Sequence, residues 1–188
     1  MVSTLLSSLV VLAGHLSLSQ ADGGSPLFAG QGYIQVVNAS EWSKVDLANR
    51  LGCMSETGAF TLDDCGVFTK AEDNPGLTSR LGNCSWRDDT QPANVDAIYG
   101  QRNYAWVCRE GVDNWLYYTF SNTLAVGTKY PVIFHGNLDG YGDVKDIPEA
   151  GEKLPLWEFA WGSEQFDVPP GHTKVVWVWV PVNATATP

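Results

Sequence analysis

Lys174-Val175-Val176-Trp177-Val178-Trp179-Val180 is the stretch that decides the architecture. From Val176 onward branched side chains and indoles alternate, and successive side chains on a strand point to opposite faces. Trp177 and Trp179 therefore belong to one face, and Val176, Val178 and Val180 to the other. Both faces are apolar, which marks a central strand covered on each side. An exposed indole pair would instead offer a stacking platform for a sugar or a base. Aromatic pairs on strands are ordinary core material, so burial is the expectation.

Working outward, further segments rich in β-branched and aromatic residues read as strands: Tyr33 to Val37, Ala59 to Leu62, Gly66 to Thr69, Tyr104 to Cys108, Trp115 to Phe120, Tyr130 to Phe134 and Leu156 to Trp161. Asn74-Pro75-Gly76, Leu138-Asp139-Gly140 and Val168-Pro169-Pro170-Gly171 punctuate them as turns. Between Asn38 and Gly52, Trp42, Val45, Ala48 and Leu51 recur every third residue, after Asn38-x-x-Glu41 and before a Gly at the stop position. That pattern predicts an amphipathic helix. A second helix is read from Asn94 through Ala97 and Ile98 to Ala105, weakened by Gly100 at about 1 kcal/mol relative to Ala. The fold class expected is α+β, an antiparallel sheet with one or two helices.

The chain has 188 residues, is 44% hydrophobic and 17% charged, and carries a formal charge of −10, which excludes disorder and the basic footprint of a general nucleic-acid binder. Residues Met1 to Ala21 hold no charged side chain and contain the apolar run Leu5 to Ala13, followed by Ser19-Gln20-Ala21 with small residues at the −3 and −1 positions of a cleavage site. This reads as a secretory signal peptide over residues 1–21, too short and too interrupted to span a bilayer. Residues 22–188 then form a single secreted domain, expected to be monomeric and free of any membrane.

Cys53, Cys65, Cys84 and Cys108 are an even set, which in a secreted chain reads as two disulfides. Of three pairings, Cys53 with Cys65 and Cys84 with Cys108 is favoured, because the shortest loops lose the least entropy on closing. The spacings do not match zinc pairs, so neither a metal nor another cofactor is expected. Asn38-Ala39-Ser40, Asn83-Cys84-Ser85 and Asn183-Ala184-Thr185 are N-glycosylation sequons. At the middle one, glycosylation competes with disulfide formation at Cys84.

Among candidate catalytic groups, no G-x-S-x-G elbow, H-E-x-x-H helix or phosphate-binding loop is present. The carboxylate pairs Asp63-Asp64 and Asp88-Asp89 lie in polar, turn-like stretches and read as solvated. Glu158 is different: it is a charge in the apolar strand Trp157-Glu158-Phe159, where an isolated carboxylate is expensive. It either faces water or sits in a cleft beside a cation, Lys174 or His172. Beyond the signal peptide, His135 and His172 are the imidazoles available.

The order Tyr130-Pro131, Trp157-Glu158, Pro170-Gly171 and Lys174-Val175-Val176 resembles that of the microbial guanyl-specific ribonucleases, over about the last third of the chain. The resemblance implies one helix against an antiparallel sheet, with Glu158 as general base and Lys174 at the position of a phosphate-binding Arg. Val132 stands where that family has its first His, and no His follows on a later strand. The implied catalytic set is thus incomplete unless His135 or His172 replaces what is missing. With its signal peptide and four cysteines, the chain also resembles the ribonuclease-like effectors of plant-pathogenic fungi. Gly66-Val67-Phe68-Thr69 after Cys65 and Tyr99-Gly100 before Cys108 look like motifs of small secreted fungal proteins.

Three functions follow as expectations. The first is a secreted, effector-like, non-catalytic protein that binds a host protein, RNA or cell-wall component. The second is an active ribonuclease using Glu158, Lys174 and His135 or His172. The third is a carbohydrate- or wall-binding module presenting aromatic side chains.

Overall fold

A computed structural model describes residues 27–39, 41–98, 100–120, 122–135, 140–159 and 165–183. The signal-peptide expectation over residues 1–21 lies outside them. Thirteen strands make one antiparallel sheet that curls into a half-barrel. In chain order they are β1 (Gly30–Asn38), β2 (Arg50–Met54), β3 (Phe60–Thr61), β4 (Phe68–Lys70), β5 (Thr78–Ser79), β6 (Gly82–Ser85) and β7 (Val107–Arg109). The remaining six are β8 (Tyr117–Tyr118), β9 (Val132–His135), β10 (Tyr141–Val144), β11 (Lys153–Leu154), β12 (Trp157–Glu158) and β13 (Thr173–Pro181).

Two nine-residue strands, β1 and β13, form the spine and pair along their length, from Gly32 opposite Pro181 to Asn38 opposite Val175. The outer edge of each is shared by two shorter strands. On β1, Gly30 to Gly32 pair with β4 and Gln35 to Val37 with β2, with a register shift between Val36 and Val37. On β13, Thr173 to Val176 pair with β10 while Trp177 and Val178 pair with β9. From these forks the wings β2-β3-β11, β4-β5-β6-β7, β10-β12 and β9-β8 extend outward.

The alternation read from β13 sorts the core as expected. Trp177 and Trp179, 1% and 0% exposed, belong to the inner cluster with Ile34, Val36, Phe60, Phe68 and Trp106. Val176 and Val178 belong to a second cluster on the opposite face with Val37, Val45, Val132 and Phe134. The indoles are core, and the stacking-platform reading of Trp177 and Trp179 is set aside. Both expected short-range disulfides are present, Cys53–Cys65 and Cys84–Cys108. The second joins residues directly opposite one another on β6 and β7.

The α+β expectation is wrong, for among the described residues no α-helix forms. The three-residue spacing of Trp42, Val45, Ala48 and Leu51 belongs to two single 3₁₀ turns, Trp42–Lys44 and Leu47–Asn49, whose period is three residues per turn. The Asp46 side chain accepts a bond from Ala48 N–H at 2.9 Å, competing with helical pairing. Val45 is meanwhile pulled into the second core cluster and its carbonyl bonds Val126 N–H. Leu51 and Gly52 continue into β2. Gly52 is no helix stop: a Cβ there would lie 2.3 Å from the Thr61 carbonyl, so glycine permits close approach of β3. The second predicted helix is a series of i→i+3 turns closed by an Ala93–Tyr104 bridge, with one 3₁₀ turn at Gly100–Arg102.

Candidate functional site

Register alone determines which candidate side chains meet. Glu158 on β12 lies opposite Gly142 on β10, which lies opposite Val175 on β13; the adjacent row is Trp157, Asp143, Lys174. Residues facing each other across a ladder share a face, and neighbours along a strand do not. Glu158 therefore belongs to the inner face with Trp177, whereas Lys174 projects from the outer face with Val176. The pairing of Glu158 with Lys174 is excluded by the thickness of the sheet.

On the inner face Glu158 meets His135 instead. β9 leaves β13 after Ile133 and turns to β8, where His135 lies opposite Tyr117. This brings His135 Nδ1 to 3.1 Å from Glu158 Oε1. A carboxylate only accepts, so the shared hydrogen is the one on Nδ1. The imidazole packs against Trp86 and Trp177, with ring centroids 5.1 and 5.3 Å away. Its side chain is 2% exposed, against 27% for Glu158. Nε2 is buried and has no hydrogen-bond partner among the described residues. Beneath the pair, Tyr117 accepts from Trp106 Nε1 at 2.6 Å and donates to the Cys84 carbonyl at 3.3 Å. Burial pushes the Tyr117 phenol well above its usual range.

The outer face carries a second network. His172, in the turn before β13, directs Nδ1 to Asp143 Oδ1 at 2.7 Å and Nε2 to Asp96 Oδ2 at 3.2 Å. Asn94 Nδ2 donates to the other Asp143 oxygen at 2.7 Å, and Lys145 pairs with Asp96 at 2.7 Å. Two carboxyl groups facing two ring nitrogens need two hydrogens between them. Burial pushes the Asp143 carboxyl up, opposed by its hydrogen bonds from Asn94 and His172. Lys145 and then His172 hold the exposed Asp96 carboxyl low. A hollow of about 330 Å³ opens beside His172, lined by Asp96, Lys145 and Pro169 to Gly171 among others. Lys174 is engaged separately, ion-paired to Asp167 at 3.0 Å and lying over the rings of Tyr141 and Phe159.

Asp143 was missed because it stands in Tyr141-Gly142-Asp143-Val144, a stretch whose glycine and charge do not read as an apolar strand. Asp88 corrects the reading of the acidic pairs. It is 4% exposed and accepts from Arg109 Nε at 2.6 Å and from Thr90 N–H and Oγ1 at 3.1 and 2.7 Å. The Arg109 hydrogen bond holds its carboxyl well below the usual range. Of the sequon asparagines, Asn38 and Asn183 are exposed, although Ser40 and residues 184–188 lie outside the described residues. Asn83 is half-buried and its Nδ2, the atom that would carry a glycan, donates to the Val112 carbonyl at 3.1 Å. Among the described residues, no three His, Cys, Asp or Glu side chains are grouped so as to hold a metal ion, and no helix is long and apolar enough to cross a membrane.

Compared with protein-family models, with curated proteins and with solved structures, the chain matches none.

Proposed function

We propose that the protein is a secreted, effector-like binding protein that does not cleave RNA. Transphosphorylation needs a base at the attacking hydroxyl and an acid on the opposite side of the phosphate, each within hydrogen-bond reach of its proton. The observation that carries the reading is the occupancy of both imidazoles. His135 gives one nitrogen to Glu158 and buries the other between indoles, and His172 gives both to carboxyl groups. Glu158 keeps an accessible edge, yet its hydrogen-bonding imidazole sits beside it rather than across a substrate-sized gap. Lys174, which the resemblance puts at the phosphate-binding position, is on the other face and ion-paired to Asp167. A net charge of −10 further weakens encounter with a polyanion. Two disulfides suit an oxidising compartment and support the secretory reading.

The test is incubation of the purified protein with RNA beside Glu158→Gln and a mock preparation. No cleavage above mock is expected from either protein. Guanosine-selective cleavage abolished by Glu158→Gln would overturn the reading and establish a ribonuclease that depends on Glu158.

A further inference from the structure

The outer face holds a continuous aromatic ledge that neither core nor chemistry requires in that form. Phe134, on β9, is 2% exposed and forms its floor. Against its ring stand Trp42, centroids 5.8 Å apart at 72°, and Phe120, 5.0 Å apart at 68°. Trp42 and Phe120 are 40% and 39% exposed. Edge-to-face packing on a buried ring fixes both while leaving much of each in solvent. Gly140 keeps the floor level, since a Cβ there would fall 2.6 Å from the Phe134 ring.

The ledge then becomes polar in one direction. Trp42 N–H donates to Tyr141 Oη at 3.0 Å. Lys174 Nζ lies 4.9 Å from the Tyr141 ring centre and 3.0 Å from the largely exposed Asp167 carboxylate. Flat rings bordered by a hydroxyl, an ammonium and a carboxylate match one ligand chemistry in particular. A pyranose presents an apolar face of axial C–H groups and a rim of equatorial hydroxyls that donate and accept. A polyanion is disfavoured by the charge of −10, and the exposed Asp167 disfavours insertion into a bilayer.

We propose that Trp42 and Phe120 form a stacking site for a neutral oligosaccharide of β-linked pyranoses, whose equatorial linkages keep successive C–H faces in an extended ribbon able to reach both rings, with Tyr141, Lys174 and Asp167 bonding its hydroxyl rim. The proposal rests on the binding reading above and names its ligand class. The aromatic pair expected from the sequence to bury does so. The sugar-facing pair lies elsewhere, one ring in a 3₁₀ turn and the other after β8.

The experiment titrates the full protein with chitohexaose and, separately, cellohexaose, followed by intrinsic fluorescence and by calorimetry. Saturable binding to at least one is expected, with a change in tryptophan emission from Trp42. Trp42→Ala and Phe120→Ala should each weaken it tenfold or more, while Val95→Ala, at a site 81% exposed that makes none of the ledge contacts named above, leaves it unchanged. Near-UV circular dichroism of each variant establishes that the fold is kept. Absence of saturable binding to both oligosaccharides, or binding indifferent to both aromatic substitutions, overturns the ledge without touching the RNA result. Mass spectrometry of the bound oligosaccharide separates the two readings from the other side. Shortened products lost in Trp42→Ala would keep the ledge and refute a purely binding role.

Discussion

Replacement of Trp177 tests how the inner core is held. Its indole is 1% exposed, stacks on Trp86 at 5.3 Å and 18°, and meets Trp106 edge-on at 4.8 Å. Trp177→Ala removes all of this from a site at the centre of the sheet, where β1 and β9 fix the backbone on both sides and prevent collapse. The expected loss is about 3–5 kcal/mol. Trp177→Phe is a sharper probe, because Nε1 is buried with no partner among the described residues. Losing the second ring forfeits about 1 kcal/mol of apolar burial and about 1 kcal/mol more for the cavity left behind, while removing an unpaired N–H returns about 1–3 kcal/mol. Loss and return nearly cancel, so the Phe variant should stay within about 1 kcal/mol of the parent. Urea denaturation followed by far-UV circular dichroism measures both, and the near-UV signal of the Trp86–Trp177 stack should vanish in each. A Phe variant as unstable as the Ala variant would refute the cancellation. An Ala variant indistinguishable from the parent would refute burial itself.

Asp88→Asn should cost about 1–3 kcal/mol at neutral pH, the range for a charge-assisted bond, toward the low end because Arg109 is half-exposed. The Asp88 carboxyl is held low, so its contribution is present above the unfolded carboxyl range near about pH 4 and fades as pH falls below it. The gap between parent and variant should therefore narrow steadily as pH falls below about 5 and close only once pH passes below the lowered range of the folded carboxyl, and a gap constant with pH would contradict the assignment. Peptide mapping of the native protein should recover Cys53–Cys65 and Cys84–Cys108 with no free thiol, and reduction of each should remove about 2–4 kcal/mol without unfolding the chain. A stoichiometric free thiol or a crossed pairing would refute the arrangement.

The β-rich character, the central strand and its two faces were legible because β13 alternates from Val176 onward and both of its sides are apolar. The disulfide pairing was legible because the favoured loops are short, and the ends of the longer one, Cys84 and Cys108, lie on strands that adjoin. The helices were not legible, since a spacing of three fits a 3₁₀ turn as well as a ragged α-helix. What decided between them was Asp46 bonding Ala48 and the Val45 carbonyl bonding Val126, the latter a contact 81 residues distant in sequence. β10 was hidden for a similar reason, because Tyr141-Gly142-Asp143-Val144 carries a glycine and a carboxylate that argue against a strand. At the candidate site, Glu158 was found by its charge in an apolar strand, but the partners expected beside it were water, Lys174 or His172. That the partner would be His135, and that Lys174 would face away, depends on the fork at β13, which no local pattern encodes.

That fork also bears on how the chain assembles. β13 is the last strand and yet serves β1, β9 and β10 at once, so three of the sheet's ladders wait for residues 173–181 to be made. The cysteine loops span only 12 and 24 residues and are complete long before. Oxidation can thus precede closure of the sheet, and until β13 is made β1 holds an open, apolar edge. Contacts between strands so distant in sequence make folding slow. A chain cut before Thr173 would keep both cross-links and lose the spine, leaving a covalently tidy product that cannot close its sheet.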